Sequence, residues 1–393
     1  MNQQLKKDLE EELKVLEEKN LLWNPKPLNG PSEAKSIVAG KKVIMLCSNN
    51  YLGLTNNPML KEAAIKALEK YGVGSGSVRA IAGTMDLHLE LEKTIAKFKG
   101  TEDALYYNTG FTANSGAIPA LLREGDTVIS DELNHGSIID GVRLTKATRS
   151  IYKHKDMCEL EKRLQEAKGA KRIMIITDGV FSMDGDIAPL DKIVKLAQQY
   201  NAIVYVDDAH GDGVLGEKGK GIVDHFHVHG KVDMDMGTFS KGFGTMGGYV
   251  AGDHTLKKYL LNKSRTWLLT GSHAPAVVAA SIAALNLLQS DDKLVKKLWE
   301  NRDYYKKQLE SLGFDCGFSE TPIVPIMTYD AKKASEMSKR LYDEGVYALP
   351  IVYPMVAQDK ARIRSMIRAD LSKEDLDFAI DKIAKVGKEL KII

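Results

Sequence analysis

The stretch KRIMIITDGVFSMDGDIAPLDKIVKLAQQYNAIVYVDDAHG, residues 171–211, predicts the fold. Apolar runs at 171–179 and 201–211 each stop at polar residues, as buried strands do, and the segment PLDKIVKLAQQY between them has helical spacing. The run DTVISD at 126–131 has the same form as the two strands. Strands that alternate with helices form a parallel sheet covered on both faces. We therefore expect an α/β domain around a mostly parallel sheet.

Polar clusters follow three of the predicted strands. They span residues 131–135, 178–182 and 207–210. Ligands of open α/β sheets bind outside the carboxyl ends of the strands, where such clusters meet. The sequence therefore predicts a single ligand-binding cleft lined by these residues.

Composition and charge limit the classes of partner. The chain has 393 residues, 44% hydrophobic and 27% charged, as in ordinary globular proteins. Its 55 Lys and Arg nearly balance 53 Asp and Glu, and the formal net charge of +2 favours neither nucleic acid nor an anionic membrane as a partner. The three scattered cysteines, the absence of a signal-peptide pattern and the lack of an apolar run near ~20 residues predict a cytoplasmic protein.

The chain is longer than one core usually supports, so we expect more than one domain. Residues 1–45 are predicted to form an N-terminal helix and arm, and residues 46–290 a large domain. Beyond this the pattern changes to charged amphipathic helices interleaved with strand-like pieces. Residues 291–393 are therefore predicted to form a smaller C-terminal α+β domain.

Two stretches suggest other ligands but fit them poorly. The glycines of YGVGSGSVRAIAG, residues 71–83, are spaced as in a dinucleotide loop, but a helical segment precedes them where a strand is required. His225, His227 and His229 would share one face of an extended chain, yet no carboxylate or cysteine follows at metal-ligand spacing. We therefore predict neither a nicotinamide cofactor nor a metal.

Three side chains at neighbouring strand ends favour a different cofactor. Asp207 ends a strand, His210 follows it, and Lys241 lies beyond the next strand-like piece in the glycine-rich stretch DMGTFSKGFGTMGGYVAG. Pyridoxal phosphate needs a lysine for its aldehyde and a carboxylate for its ring nitrogen. The small-residue turn into a helix at 106–122 could hold its phosphate, and His135 could stack on its ring.

Several longer motifs resemble one family. They are SNNYLGL (48–54), SVRAIAGTMDLHLELE (77–92), DELNHGSIIDGVRL (131–144), TDGVFSMDGDIAPL (177–190), VDDAHGDGVLGEKGKG (206–221) and GTFSKGFGTMGGYVAG (237–252). In order and spacing they look like the α-oxoamine synthases over nearly the whole chain. These are fold-type I pyridoxal-phosphate-dependent transferases that join an amino acid to an acyl-CoA. The resemblance implies the same α/β fold, with a large domain and a smaller C-terminal one.

The resemblance implies roles at the reacting end of the cofactor. It assigns Lys241 to the Schiff base and Asp207 to the pyridinium nitrogen. His135 would stack on the ring, and His210 and Ser182 would lie near its phenolic oxygen and the substrate. Lys241, Asp207 and His210 are the implied catalytic residues.

Other positions are implied to hold charged groups of cofactor and substrate. The backbone of Gly110 and Phe111, with Thr238, would bind the phosphate. Asn49 and Arg364 would bind the carboxylate of the amino acid, which a guanidinium matches at two points.

The resemblance also implies a homodimer. Thr270 occupies the position from which the family reaches across the dimer interface to the partner's phosphate. Amino acid and acyl-CoA are the implied substrates of an active site that two subunits build together.

Within the family, LNHGSIIDGVRL and DGVFSMDGDIAPL lean towards glycine C-acetyltransferase, also called 2-amino-3-ketobutyrate CoA ligase. We therefore expect condensation of glycine with acetyl-CoA to 2-amino-3-oxobutanoate, a step of threonine catabolism. The alternative is an 8-amino-7-oxononanoate synthase, which uses alanine and a pimeloyl thioester in biotin synthesis, or another branch such as serine palmitoyltransferase. The segments at 264–276 and 365–370 depart from the family pattern, and the motifs do not choose among glycine, alanine and serine.

Two further classes compete with this interpretation. Another fold-type I enzyme, such as an aminotransferase or lyase, would need no acyl-CoA. A non-catalytic scaffold would have no chemical use for Lys241 beside Asp207 and His210, so the lysine argues against it.

Overall fold

The computed structural model describes residues 1–18 and 21–393. The strands are β1 (Lys35–Val38), β2 (Lys41–Met45), β3 (Asp103–Tyr107), β4 (Thr127–Asp131), β5 (Thr148–Tyr152), β6 (Ile173–Asp178), β7 (Ile203–Asp207), β8 (Met234–Thr238), β9 (Gly248–Gly252), β10 (Ile323–Met327), β11 (Val346–Tyr347), β12 (Leu349–Ile351) and β13 (Arg362–Met366). The α-helices are α1 (Gln3–Glu18), α2 (Pro58–Tyr71), α3 (Asp86–Lys99), α4 (Gly110–Leu121), α5 (Gly136–Arg143), α6 (Met157–Glu166), α7 (Leu190–Tyr200), α8 (Ile222–His225), α9 (His254–Lys263), α10 (Arg265–Leu268), α11 (Pro275–Ser290), α12 (Lys293–Ser311), α13 (Ala331–Asp343) and α14 (Lys373–Glu389). Short 3-10 turns occupy Leu54–Asn56, Glu217–Gly219 and Gln358–Lys360, and a π-helical turn occupies Arg79–Gly83.

The central sheet confirms the predicted α/β fold. Among the described residues its strand order is β3-β9-β8-β7-β6-β4-β5. β9 runs antiparallel to both of its neighbours, and the remaining pairs are parallel. The strands β6 and β7 flank α7, as the pattern of residues 171–211 predicts.

Helices cover both faces of this sheet, because successive residues of each buried strand point to opposite sides. On one face Tyr107, Met174 and Tyr205 pack with side chains of α4 and α5. On the other face Ile175 and Val206 pack with side chains of α3, α7 and α11. Burial on both sides explains why these strands are apolar runs and not alternating patterns.

Two small sheets lie near the C-terminal helices. One has the order β10-β13-β12, and the other pairs β1 and β2 with β11. Ile44 and Leu46, in and just after β2, pack with side chains of α12, α13 and α14. The N-terminal arm thus contributes to the C-terminal core, and the boundaries at residues 45 and 290 stay a prediction.

The carboxyl ends of β4, β6 and β7 carry Asp131, Asp178 and Asp207 at one edge of the central sheet. Within residues 1–18 and 21–393, no helix combines the length and the apolar character that crossing a membrane requires. These described residues also contain no group of three or more His, Cys, Asp or Glu side chains that could hold a metal ion.

Candidate active site

A cavity of about 250 Å³ lies at the carboxyl ends of β6, β7 and β8. The starts of α4 and α5 also border it. Its lining residues are Thr109, Gly110, Phe111, His135, Ser137, Asp178, Val180, Ser182, Asp207, Ala209, His210, Met236, Thr238, Ser240 and Lys241. Every residue predicted to bind the cofactor, apart from Thr270, belongs to this set.

Lys241 follows β8 in the glycine-rich stretch and supplies an amine to the cavity. Burial lowers the pKa of Lys241, and the positive charge of Arg364 acts in the same direction. The carboxylates of Asp207 and Asp178 oppose this effect on the pKa. A lysine with a lowered pKa loses its proton more readily, which suits both a nucleophile and a general base.

Asp207 is buried at the end of β7, and its carboxylate is fixed at both oxygens. Asn114 of α4 donates to Oδ2 at 2.7 Å, and the backbone N–H of Ala209 donates to Oδ1 at 3.0 Å. Asn114 in turn accepts a hydrogen bond from Tyr205 at 2.7 Å and donates to Ser137 at 2.9 Å. The sequence analysis missed Asn114, although it lies within the quoted segment 106–122.

His135 stands at the start of α5, where its ring caps the helix. Its Nδ1 lies 2.7 Å from the Ser137 hydroxyl, and its backbone N–H donates to Asp178 Oδ2 at 2.9 Å. Burial lowers the pKa of His135, so the imidazole is favoured in its neutral form. A neutral ring oriented through Nδ1, on a backbone that Asp178 fixes, suits stacking on a flat heterocycle.

Asp178 is a second carboxylate that lines the cavity, and the family resemblance implied no role for it. Burial and the nearby charge of Asp207 raise the pKa of Asp178 well above its ordinary value. The cavity therefore holds two carboxylates in unequal environments, one of which favours its protonated form.

His210 is buried and meets a tyrosine that the sequence analysis did not assign. Tyr51, in the quoted segment 48–54, places its hydroxyl 2.7 Å from His210 Nδ1. Burial lowers the pKa of His210 well below its ordinary value, and the charges of Lys241 and Arg364 add to this effect. His210 is therefore a neutral hydrogen-bonding group at neutral pH.

The other end of the cavity is built from the start of α4 and the end of β8. Thr109 caps α4 by accepting from the Thr112 backbone N–H at 3.0 Å, and Gly110 and Phe111 begin the helix. Thr238 Oγ1 lies 2.9 Å from the Ser240 hydroxyl. Free N–H groups at a helix start, together with hydroxyls, form a favourable site for a phosphate.

Of the two residues predicted to bind the amino acid carboxylate, Arg364 contacts the wall of the cavity. Arg364 of β13 donates to the carbonyl oxygen of Ser182 at 3.0 Å. Its positive charge adds to burial in lowering the pKa of His210 and of Lys241. Asn49 Oδ1 is buried without a hydrogen-bond partner in the described structure. This atom is an acceptor, so a bond from Asn49 to a carboxylate would come from Nδ2.

Thr270 does not line the cavity of its own chain. It follows α10 and precedes Gly271, which forms a bridge with Val78. The part implied for Thr270 at the cofactor of a partner stays a prediction.

The side chains of the cavity fit pyridoxal phosphate. Lys241 offers an amine for the aldehyde, Asp207 a buried carboxylate for the ring nitrogen, and His135 a flat ring. The unpaired helix start at Gly110 and the hydroxyl of Thr238 match the phosphate.

The fold and this cavity define a fold-type I transferase that depends on pyridoxal phosphate, and the chain belongs to the aminotransferase class I and II family, whose model matches residues 41–383. A protein of Fervidobacterium nodosum named 8-amino-7-oxononanoate synthase is 56% identical over 391 residues, which cover 98% of this chain and 99% of that protein. One of the same name from Thermosipho melanesiensis is 54% identical over 382 residues, covering 97% and 98%. A solved serine palmitoyltransferase from S. paucimobilis with bound PLP-myriocin superposes with a TM-score of 0.93 at 30% identity, with 98% of both chains covered. With α-oxoamine synthases as its relatives, the chain is an enzyme of the acyltransferase type.

The expectation of a glycine C-acetyltransferase is wrong. The relatives that are more than half identical carry the name 8-amino-7-oxononanoate synthase, which was the stated alternative. The expected substrate acetyl-CoA and the expected role in threonine catabolism are therefore wrong as well. The physical reason is that the two motifs behind this expectation border the cavity, where they supply His135 and Ser182, and a lining that fits the cofactor does not specify an acyl chain.

Proposed function

We propose that this protein condenses alanine with a pimeloyl thioester to give 8-amino-7-oxononanoate, carbon dioxide and the free carrier thiol. The observation that carries the proposal is 56% identity over 98% of the chain to a protein with that name. The cavity supports the proposal, because Lys241 lines it and Arg364 contacts its wall at Ser182. These two side chains could act on the Cα proton and the carboxylate of a small amino acid.

In this reaction a carbon–carbon bond forms between Cα of alanine and the thioester carbonyl carbon. The carbon–sulfur bond breaks and the thiol leaves with a proton. The alanine carboxylate then leaves as carbon dioxide, and Cα takes up a proton in its place. Bound pyridoxal phosphate supplies an aldehyde for the amino group and a cationic ring that takes up the electron pair left at Cα. The side chains of the protein therefore have to bind, orient and move protons.

Lys241 acts as the base that removes the proton from Cα of alanine. Its lowered pKa increases the share of neutral amine at a given pH. Asp207 keeps a proton on the ring nitrogen, because Asn114 and the Ala209 N–H fix its carboxylate facing the cavity. Arg364 and Asn49 bind the carboxylate until it leaves.

His210 stabilises the negative charge that develops on the thioester oxygen. A neutral imidazole carries one N–H, and the buried hydrogen bond to Tyr51 fixes the ring. A hydrogen-bond donor directed at a developing oxyanion in a site that excludes water contributes a large share of an enzyme's rate enhancement.

A second candidate is the condensation of serine with palmitoyl-CoA. The TM-score of 0.93 to a serine palmitoyltransferase favours it, whereas the identity of 30% is far below that of the first group. Both candidates release carbon dioxide and thiol, so the substrates distinguish them.

We also propose that the active site is shared in a homodimer, with Thr270 of each chain at the phosphate of its partner. The position of Thr270 outside its own cavity supports this arrangement.

The test measures thiol release and product mass for the pyridoxal-phosphate-loaded protein with alanine and pimeloyl-CoA. Serine with palmitoyl-CoA and glycine with acetyl-CoA are run in parallel. We expect turnover with alanine and pimeloyl-CoA. Lys241→Ala should abolish this turnover, and the control Lys231→Ala, at an exposed lysine, should leave it intact. Turnover only with serine and palmitoyl-CoA would overturn the proposal in favour of the second candidate.

A further inference from the structure

His154 lies just after β5 and joins two carboxylates, that of Asp131 at the end of β4 and that of Asp186 in the turn after β6. Its Nδ1 is 3.0 Å from Asp131 Oδ1, and its Nε2 is 2.8 Å from Asp186 Oδ2. Both carboxylates are buried, and the imidazole is 22% exposed. The edge of the ring also meets Phe181, with centroids 4.3 Å apart and planes at 86°.

Asp131 anchors the loop that carries His135. Its Oδ1 also accepts from the Leu133 backbone N–H at 2.9 Å, and its Oδ2 accepts from the Lys155 N–H at 3.0 Å. The chain therefore leaves β4 along a fixed path and reaches His135 four residues later.

Asp186 closes the turn that carries Ser182. Its carbonyl oxygen accepts from the Phe181 N–H at 3.0 Å, and a bridge joins Val180 and Ile187 across the base of the turn. The carbonyl oxygen of Ser182 receives the hydrogen bond of Arg364 at 3.0 Å. A shift of this turn would therefore move Ser182 and the guanidinium together.

Only a protonated imidazole can donate to both carboxylates, because a neutral ring has a single N–H. Burial lowers the pKa of His154, but the hydrogen bonds and charges of Asp131 and Asp186 outweigh burial and raise the pKa to about 9. The ring is therefore charged at neutral pH, and one of its two bonds is lost as the pH rises through about 9.

Other ionisable groups face this ring or its partners. Lys155 Nζ lies 2.9 Å from Asp186 Oδ2 and 3.4 Å from Glu320 Oε2. Glu132 Oε1 accepts from the His154 backbone N–H at 2.8 Å. The charge of Asp131 adds to burial in raising the pKa of Tyr152. Burial raises the pKa of Tyr152, so this tyrosine stays neutral in the range where His154 titrates.

We propose that protonated His154 is a positioning residue that holds the loop of His135 and the turn of Ser182 in register across the cofactor cavity. The role rests on the proposed functions of His135, Ser182 and Arg364. When His154 loses its proton, one loop is released, and the amino acid and the cofactor bind more weakly.

The experiment compares His154→Gln and His154→Arg with the natural protein. Glutamine has similar size but no charge, and its N–H donors share one nitrogen, so they do not replace donors at two separate ring nitrogens. Arginine keeps a charge and offers donors on separate nitrogens. His254→Gln is the matched control, because His254 also pairs with an aspartate, Asp103 at 3.0 Å, but is 72% exposed.

Two dissociation constants are measured from the absorbance of the cofactor between pH 7 and 10.5, those of pyridoxal phosphate and of alanine. We expect His154→Gln to weaken alanine binding about tenfold at pH 7.5, the size of a charge-assisted hydrogen bond. The ratio of affinities between natural protein and variant should fall towards one as the pH rises through about 9. This ratio cancels the titration of alanine itself, and His154→Arg should stay within about threefold of the natural protein at pH 7.5.

Equal affinities of His154→Gln and natural protein at pH 7.5, or a ratio independent of pH, would overturn the positioning role. If His154→Gln does not fold, Asp186→Asn is used instead. The midpoint of the pH dependence of alanine binding should then fall to a lower pH, because one carboxylate that raises the pKa of His154 is gone. An unchanged midpoint would also overturn the role. No acyl substrate enters these titrations, so an inactive pairing of alanine with pimeloyl-CoA would refute the proposed function separately.

Discussion

At the scale of single residues, the cavity rests on a buried charge cluster. Lys99, the last residue of α3, places Nζ 2.9 Å from both Asp208 and Asp212 and 3.1 Å from Asp235. Burial lowers the pKa of Lys99, but the three carboxylates outweigh it and raise the pKa well above its ordinary value. Because Asp208 follows Asp207 and Asp235 lies on β8, the cluster ties together the two chain segments that bear the predicted catalytic residues.

Removing the lysine should therefore cost much stability. Lys99→Met leaves three buried carboxylates without their cation, and we expect a loss of about 3–5 kcal/mol in the free energy of unfolding. Urea denaturation measures it. Lys97→Met, on an exposed face of the same helix, should change stability by no more than about 0.5 kcal/mol. If the two variants proved equally stable, the cluster would not hold these segments.

At the scale of elements, the start of α4 decides how closely a phosphate can approach. A Cβ at Gly110 would lie 3.1 Å from Met236 Cε and 3.3 Å from Thr238 Oγ1. The glycine thus permits the contact between helix start and strand end on which the proposed phosphate site depends.

Gly110→Ala should weaken pyridoxal phosphate binding about tenfold, because the extra methyl displaces Thr238 or the helix start. Absorbance titration of the cofactor-free protein measures the dissociation constant. The control is Gly136→Ala at the first residue of α5, where a Cβ would meet nothing within 4 Å. Equal affinities in the two variants would place the phosphate elsewhere.

At the scale of the whole molecule, the proposed homodimer predicts complementation between inactive subunits. Lys241→Ala removes the lysine of one chain, and Thr270→Ala removes the threonine that the partner's site needs. A mixed dimer then keeps one intact site, so co-expression of two tagged variants should restore about half the activity per dimer. Thiol release by the purified mixed dimer measures this. Activity no higher than that of either parent would mean that Thr270 serves its own chain or none.

The sequence also led to one error at this scale. Motifs of the cofactor cavity predicted the pyridoxal-phosphate-dependent fold correctly. The error was to infer the substrates, glycine and acetyl-CoA, from the same motifs. Those residues include much of the lining of a cavity that fits the cofactor, and a fit to the cofactor does not specify the acyl group. The comparison over the whole chain therefore corrected glycine C-acetyltransferase to the 8-amino-7-oxononanoate synthase group.

Local patterns in the sequence determined the strands and helices of residues 171–211 and the strand-end positions of Asp207 and Lys241, because apolar periodicity is a property of neighbouring residues. Tertiary structure decided the contacts between distant residues. Asn114 meets Asp207 across 93 positions, Tyr51 meets His210 across 159, and His154 joins the end of β4 to the turn after β6. Such pairs follow from the way helices and loops pack against the sheet, and no local pattern specifies which polar side chains will meet.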